Sequence, residues 1–224
     1  MTTGIVAEGV TDQMVIRNML YAYEIEKNQV RFIRLKLSQD ATDGYMNMTQ
    51  RQFGSWTNVQ IECTNKKNVS QFYDNVLEEA RKLIIQIDSD VYSQYDLQEV
   101  IPINNNETIT EQRNRIITKI KHWLNSEYED RIIYAVSIST MYTWILSLDI
   151  FNPKKDTSFI TQPKKDLESS GNKYLKNKLK SESYKLITDP FLKNKILIKA
   201  MKENYSLKLF LKDFDINLIK ETNK

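Results

Sequence analysis

Apolar residues follow two rhythms along this chain. In Gly4-Ile5-Val6-Ala7, Leu83-Ile84-Ile85-Gln86-Ile87 and Ile132-Ile133-Tyr134-Ala135-Val136 they run almost without polar interruption. Such runs predict strands buried on both faces, as inside a parallel sheet. Elsewhere apolar positions recur every three or four residues, the stripe of an amphipathic helix. Val15, Ile16, Met19, Leu20 and Tyr23 predict a helix capped by Thr11 and ending near Lys27. Phe72, Val76, Leu77 and Ala80 predict one over 68–81, and Ile116, Ile117, Ile120 and Leu124 one over 110–126. Residues 141–148 read as a further helix, with Trp144 and Leu148 inward. The alternation from Val30 to Leu37 predicts a strand, and Val59 to Cys63 a short one. Residues 40–57 are polar with room for a short helix, and 91–108 are a polar loop. Strands alternating with helices predict an α/β fold with a doubly wound, mainly parallel sheet.

From Asn152 the pattern changes. Pro153, Pro163 and a polar run mark a connection, followed by predicted helices over 174–180, 190–202 and 206–214. Ile196, Leu197, Ala200 and Met201 form one apolar stripe, and Leu207, Phe210, Leu211 and Phe214 another. The expected organisation is a sheet domain over 1–150 and a small C-terminal helical appendage over 151–224. Charge divides at the same place. Residues 151–224 hold 17 lysines and 9 acidic residues, a net of +8, and the whole chain's +3 leaves −5 for residues 1–150. An acidic first part beside a lysine-rich second part suits a metal site next to a polyanion-binding surface. A genome rich in Lys, Asn and Ile codons gives the same composition.

The 41% hydrophobic content across 224 residues supplies a sizeable core, and 27% charged residues of mixed sign argue against a disordered chain. A single cysteine, Cys63, excludes an internal disulfide and a cysteine-based zinc site, in keeping with a reducing cytoplasm. The N-terminal residues lack a basic region followed by an apolar one, so no signal peptide is expected. No apolar run approaches the roughly 20 residues that span a bilayer. The lone histidine, His122, removes mechanisms that need two and reads as a surface residue. Trp56, Trp123 and Trp144 read as core.

The candidate chemistry is acidic. The run Leu83–Ile87 leads into Asp88-Ser89-Asp90. In an extended chain both aspartates point to one side, with Cα atoms roughly 6.6 Å apart. Carboxylates so placed repel unless a cation sits between them, and hard divalent cations take such oxygen ligands. The alternative is a solvated loop with two acidic residues. Glu8 follows the first strand, with Asp12 one helical turn later. Strand ends of a doubly wound sheet can be neighbours, which would bring all four carboxylates to one crevice.

These residues resemble a known family. Ile5-Val6-Ala7-Glu8-Gly9-Val10-Thr11-Asp12 is similar to the first acidic signature of Toprim domains, and Ile85-Gln86-Ile87-Asp88-Ser89-Asp90 to their DxD motif. Toprim is the catalytic module of topoisomerases, bacterial primases and OLD-family nucleases. The Glu-x-x-x-Asp spacing resembles the OLD-like branch and the small stand-alone Toprim-like proteins of bacterial defence operons. The resemblance covers about residues 4–148. It implies Mg²⁺ or Mn²⁺ held by Glu8, Asp12, Asp88 and Asp90, with Glu8, Asp88 and Asp90 catalytic. The implied activity is cleavage of phosphodiester bonds in DNA or RNA, in anti-phage defence. One departure stands out: OLD-like enzymes carry a Ser-x-Glu after a later strand, whereas here Ser137 is followed by no acidic residue until Asp149. That favours an alternative, a catalytically degenerate domain that binds nucleic acid or regulates an ATPase partner. An unrelated Mg²⁺-dependent phosphatase or nucleotidyltransferase fits less well, since no Gly-rich phosphate loop is present. Lys164, Lys165, Lys173 and Lys176 are candidate phosphate-binding residues, with a solvated lysine face as the other reading.

Overall fold

The computed structural model describes residues 1–33, 56–74, 80–90, 107–170 and 181–222. The end of the strand expected from Val30, the short helix in 40–57, most of the 91–108 loop, the helix over 174–180, and Lys173 and Lys176 lie outside the described residues.

Among the described residues, four strands form one all-parallel sheet: β1 (Thr2–Val6), β2 (Val30–Phe32), β3 (Arg81–Asp88) and β4 (Ile132–Ser137). Their order is β2-β1-β3-β4. β1 pairs with β3 from Thr2 opposite Arg81 to Val6 opposite Ile85, and β3 pairs with β4 from Leu83 opposite Ile132 to Asp88 opposite Ser137. The central strands β1 and β3 are buried along almost their whole length, and their runs Ile5–Val6 and Leu83–Ile85 are apolar, because both faces are covered. Ile5, Ile84, Ile133 and Ala135 point to one face, where they join Val15, Ile16, Met19 and Leu20 of α1 (Val10–Ala22). Val6, Leu83, Ile85, Ile87, Tyr134 and Val136 point to the other. There they meet α2 (Trp56–Asn65), α3 (Lys67–Asp74) and α4 (Ile109–Trp123).

Several sequence expectations are corrected. Arg81, expected to end the helix over 68–81, is the first residue of β3. Val59 to Cys63 is helical, part of α2, and not a strand. Val59 and Cys63 are four apart and both fully buried, so they share one helix face, while Trp56 stacks on Trp123 at 6.0 Å. Five residues with two β-branched side chains are too few to reveal that period. The first helix is capped at Gly9, not Thr11, and ends at Ala22, not near Lys27. With Gly9 at the cap, Asp12 takes the third helical position and its carboxylate accepts the Gly9 backbone N–H. This is the return half of a capping box.

The later helices are α5 (Met141–Leu146), α6 (Pro163–Ser169), α7 (Ser181–Thr188), α8 (Asn194–Glu203) and α9 (Tyr205–Thr222). The stripe expected over 207–214 is realised: Leu207, Phe210, Leu211 and Phe214 are all buried. They share one apolar cluster with Ile187, Phe191 and Leu197, and with Ile5 of β1 and Ile84 of β3. Trp144 stacks on Phe210 at 5.4 Å, and its Nε1 donates to Ser206 Oγ at 2.7 Å. Asn18 of α1 donates to the Thr188 carbonyl at 3.0 Å. α9 packs directly along β4, the last strand of the sheet. It also meets α4, where Arg113 pairs with Asp213 and donates to the Tyr134 carbonyl at 3.1 Å.

Candidate functional site

From β1 the chain moves outward to β2, then returns across β1 to β3 and continues to β4. The direction of winding therefore reverses between β1 and β3. Loops leaving the carboxyl ends of two such strands diverge and leave a crevice, the usual ligand position in open α/β sheets. Glu8 lies just beyond the end of β1, and Asp88 ends β3. The sequence motifs thus meet at the crevice that the topology of the described strands opens.

The two residues touch. Glu8 Oε1 accepts the Asp88 backbone N–H at 2.6 Å, and the backbone of Trp56, first residue of α2, donates to the same carboxylate. Gln86, fully buried within β3, bridges them from below. Its Oε1 accepts the Glu8 N–H at 3.1 Å, and its Nε2 donates to Asp88 Oδ1 at 2.8 Å. Ser137, opposite Asp88 in the β3–β4 ladder, donates its hydroxyl to the same Oδ1. Gln86, Asp88 and Ser137 share a face because strand side chains alternate and the parallel register sets Asp88 beside Ser137.

β3 ends at Asp88, and Ser89 and Asp90 form a turn in place of the extended chain expected there. The turn is tied to the loop after β4. Ser89 N–H donates to the Ser137 carbonyl at 2.9 Å and Asp90 N–H to the Ser139 carbonyl at 2.9 Å, while Ser89 Oγ accepts the Ser139 N–H at 2.7 Å. Ser139 holds φ of 65°, a left-handed conformation uncommon for a residue with a side chain. Asp12 closes the crevice on the α1 side. A Cβ on Gly9 would lie 3.0 Å from Asp12 Oδ2, so a larger residue there would have to push the Asp12 carboxylate aside by a few tenths of an ångström.

All four carboxyls are pushed toward the protonated form. Burial is the largest cause in each. Glu8 and Asp88 lie well above the ordinary carboxylate range, both raised further by Asp12 and Asp90, and Asp88 also by Glu8. Asp12 is pushed up to about 7, with Asp90 adding to the effect of burial, and Asp90 itself to about 6. Backbone N–H groups pull Glu8, Asp12 and Asp90 partly back, and the Ser137 hydroxyl does so for Asp88.

Among the described residues, no three acidic, histidine or cysteine side chains stand as a ready-made metal group. The hydrogen bonds give the reason: Glu8 is turned to the Asp88 and Trp56 amides and Asp12 to the Gly9 amide. The donor set is nonetheless of the right type for Mg²⁺ or Mn²⁺, since it consists of carboxylate oxygens alone. Lys164 and Lys165 are exposed on α6. His122 is exposed, Trp144 and Trp123 are buried, and Trp56 is half-buried against Trp123. Sequence reasoning passed over Gln86 and Ser89. The signal available was a lone amide inside an otherwise apolar strand, which a buried position tolerates only with partners.

Fold and site together define an α/β protein with a four-stranded parallel sheet, helices on both faces, and an acidic crevice where the winding reverses. No family model, no curated protein and no solved structure matches the chain.

Proposed function

We propose that this chain is a Toprim-like, Mg²⁺- or Mn²⁺-dependent nuclease. The observation that supports it most is the contact between Glu8 and Asp88, two residues from separate motifs, at the winding reversal of the sheet. In this reading Asp88 and Asp90 hold the cation, with Glu8 and Asp12 completing its shell. A bound divalent cation supplies Lewis acidity to the scissile phosphate and a more acidic water. Burial holds Glu8 above the ordinary carboxylate range, the direction that suits a carboxyl for taking or returning a proton. Ser137 and Gln86 hold the Asp88 carboxylate in one orientation. Exposed lysines such as Lys164 and Lys165 contribute phosphate contacts, with the nucleic acid as partner and the cytoplasm as the compartment.

A second reading rests on the loop after β4. Ser137-Ile138-Ser139-Thr140 carries no carboxylate, and the acidic side chains are engaged with backbone amides. Both favour a degenerate domain that binds nucleic acid or regulates an ATPase partner.

The deciding assay is a panel of single- and double-stranded DNA and RNA with Mg²⁺ or Mn²⁺, run alone and with the products of neighbouring genes. The nuclease reading expects cleavage that disappears in Glu8→Ala and Asp88→Ala. Equal background from wild type and Glu8→Ala on every substrate, partner included, leaves the binding-module reading in its place.

A further inference from the structure

We propose that Gln86 is a positioning residue that locks Glu8 and Asp88 into one unit. The inference rests on the crevice being the functional site, and its first test does not require that a metal bind there.

Three observations carry it. Gln86 is fully buried, and each end of its amide is used: Oε1 by the Glu8 N–H at 3.1 Å, Nε2 by Asp88 Oδ1 at 2.8 Å. Glu8 in turn grips the Asp88 N–H at 2.6 Å, so backbone and side chain of both acidic residues close a ring through Gln86. The neighbours of Gln86 in β3, Ile84, Ile85 and Ile87, are buried apolar residues. A buried amide in such a strand costs stability unless both ends are paired, and an apolar residue would fill the same place. What the amide adds is geometry. Its donor and the Ser137 hydroxyl converge on the single oxygen Oδ1 of Asp88, and Oδ2 receives neither of these bonds. A carboxylate pinned through one oxygen keeps a fixed direction for the other, which is what a preorganised ligand or base requires.

Amide hydrogen exchange on the full chain separates positioning from simple strand stability. The Asp88 N–H is held by Glu8 and not by Gln86, so it reports on the ring. In Gln86→Met its protection, taken relative to the Ile84 and Ile85 amides, is expected to fall at least about tenfold, together with that of the Glu8 N–H. Loss at Glu8 alone, with Asp88 within about twofold of wild type, overturns the proposal and leaves Gln86 as a strand cap. Should Gln86→Met not fold, Gln86→Glu keeps the length and the acceptor for Glu8 while altering the group that faces Asp88, and the same amide is read. A second arm titrates Mn²⁺ by electron paramagnetic resonance. Wild type that binds, with Gln86→Met at least about tenfold weaker, supports a positioned cation site, and equal affinities overturn that part. Wild type that binds no Mn²⁺ counts against the nuclease reading, while the exchange arm still decides the role of Gln86.

Discussion

Glu8 Oε1 accepts the backbone N–H of Asp88 at 2.6 Å, joining residues 80 positions apart at the ends of neighbouring strands. The bond places the two acidic motifs of the sequence in one crevice. It also gathers carboxyls whose charged forms burial disfavours first and mutual repulsion second, and the expected pH and metal dependence follow from that.

Asp88→Asn is expected to leave the melting temperature in metal-free buffer unchanged or raised. Asparagine keeps an oxygen for the Gln86 and Ser137 donors while removing a charge that burial and three neighbouring carboxyls disfavour. The same change should abolish binding of Mn²⁺, read by calorimetry. A large loss of stability without metal would make Asp88 a structural hydrogen-bonding residue.

Stability should depend on pH with a definite sign. Asp12 is pushed up to about 7 and Asp90 to about 6 in the folded chain, from ordinary values near 4. The native state therefore holds protons that the unfolded chain has already released. The stability linked to these groups is fully present below about pH 4 and is lost as pH rises through about 6 to 7. The metal-free melting temperature should be lower at pH 8 than at pH 5. Mg²⁺ or Mn²⁺ should raise it more at pH 8, because cations need deprotonated ligands. A melting temperature that climbs from pH 5 to 8 without metal would show that the fold does not raise these carboxyls above their ordinary range.

Affinity for nucleic acid should fall steeply with salt, as counterion release requires. Lys164 and Lys165 are exposed on α6. Replacing both by Ala is expected to lower the slope of log affinity against log salt by up to about two units. Fluorescence anisotropy across a salt series measures it. An unchanged slope would make them solubilising residues of an apolar-backed helix.

Phe210→Ala is expected to cost about 3–5 kcal/mol. Its ring is buried, stacked on Trp144 at 5.4 Å, within the cluster that also holds Ile5 and Ile84. Denaturant unfolding should remain a single transition with a lower midpoint. A loss below about 1 kcal/mol, or a separate transition for the C-terminal helices, would show that they pack loosely on the sheet.

The local periodicities of the chain determined the elements whose surroundings are uniform. Leu83–Ile85 and Ile132–Val136 are apolar at successive positions, and a strand covered on both faces buries all of them. Leu207, Phe210, Leu211 and Phe214 recur at helical spacing, and α9 buries all four. The acidic residues, too, stood out where strands end. Tertiary structure decided what depends on partners distant in sequence. Strand order placed Glu8 beside Asp88, and no local pattern encodes which strand lies next to which. Val59 and Cys63 became helical because one helix face buries both. Gln86 looked like a flaw in an apolar run until β1 brought the Glu8 N–H to its oxygen and the strand end brought Asp88 to its nitrogen. The residues after Asn152 read as a helical appendage packed on the sheet, and tertiary contact decided what their stripes pack against: Phe191, Phe210 and Phe214 share an apolar cluster with Ile5 of β1 and Ile84 of β3.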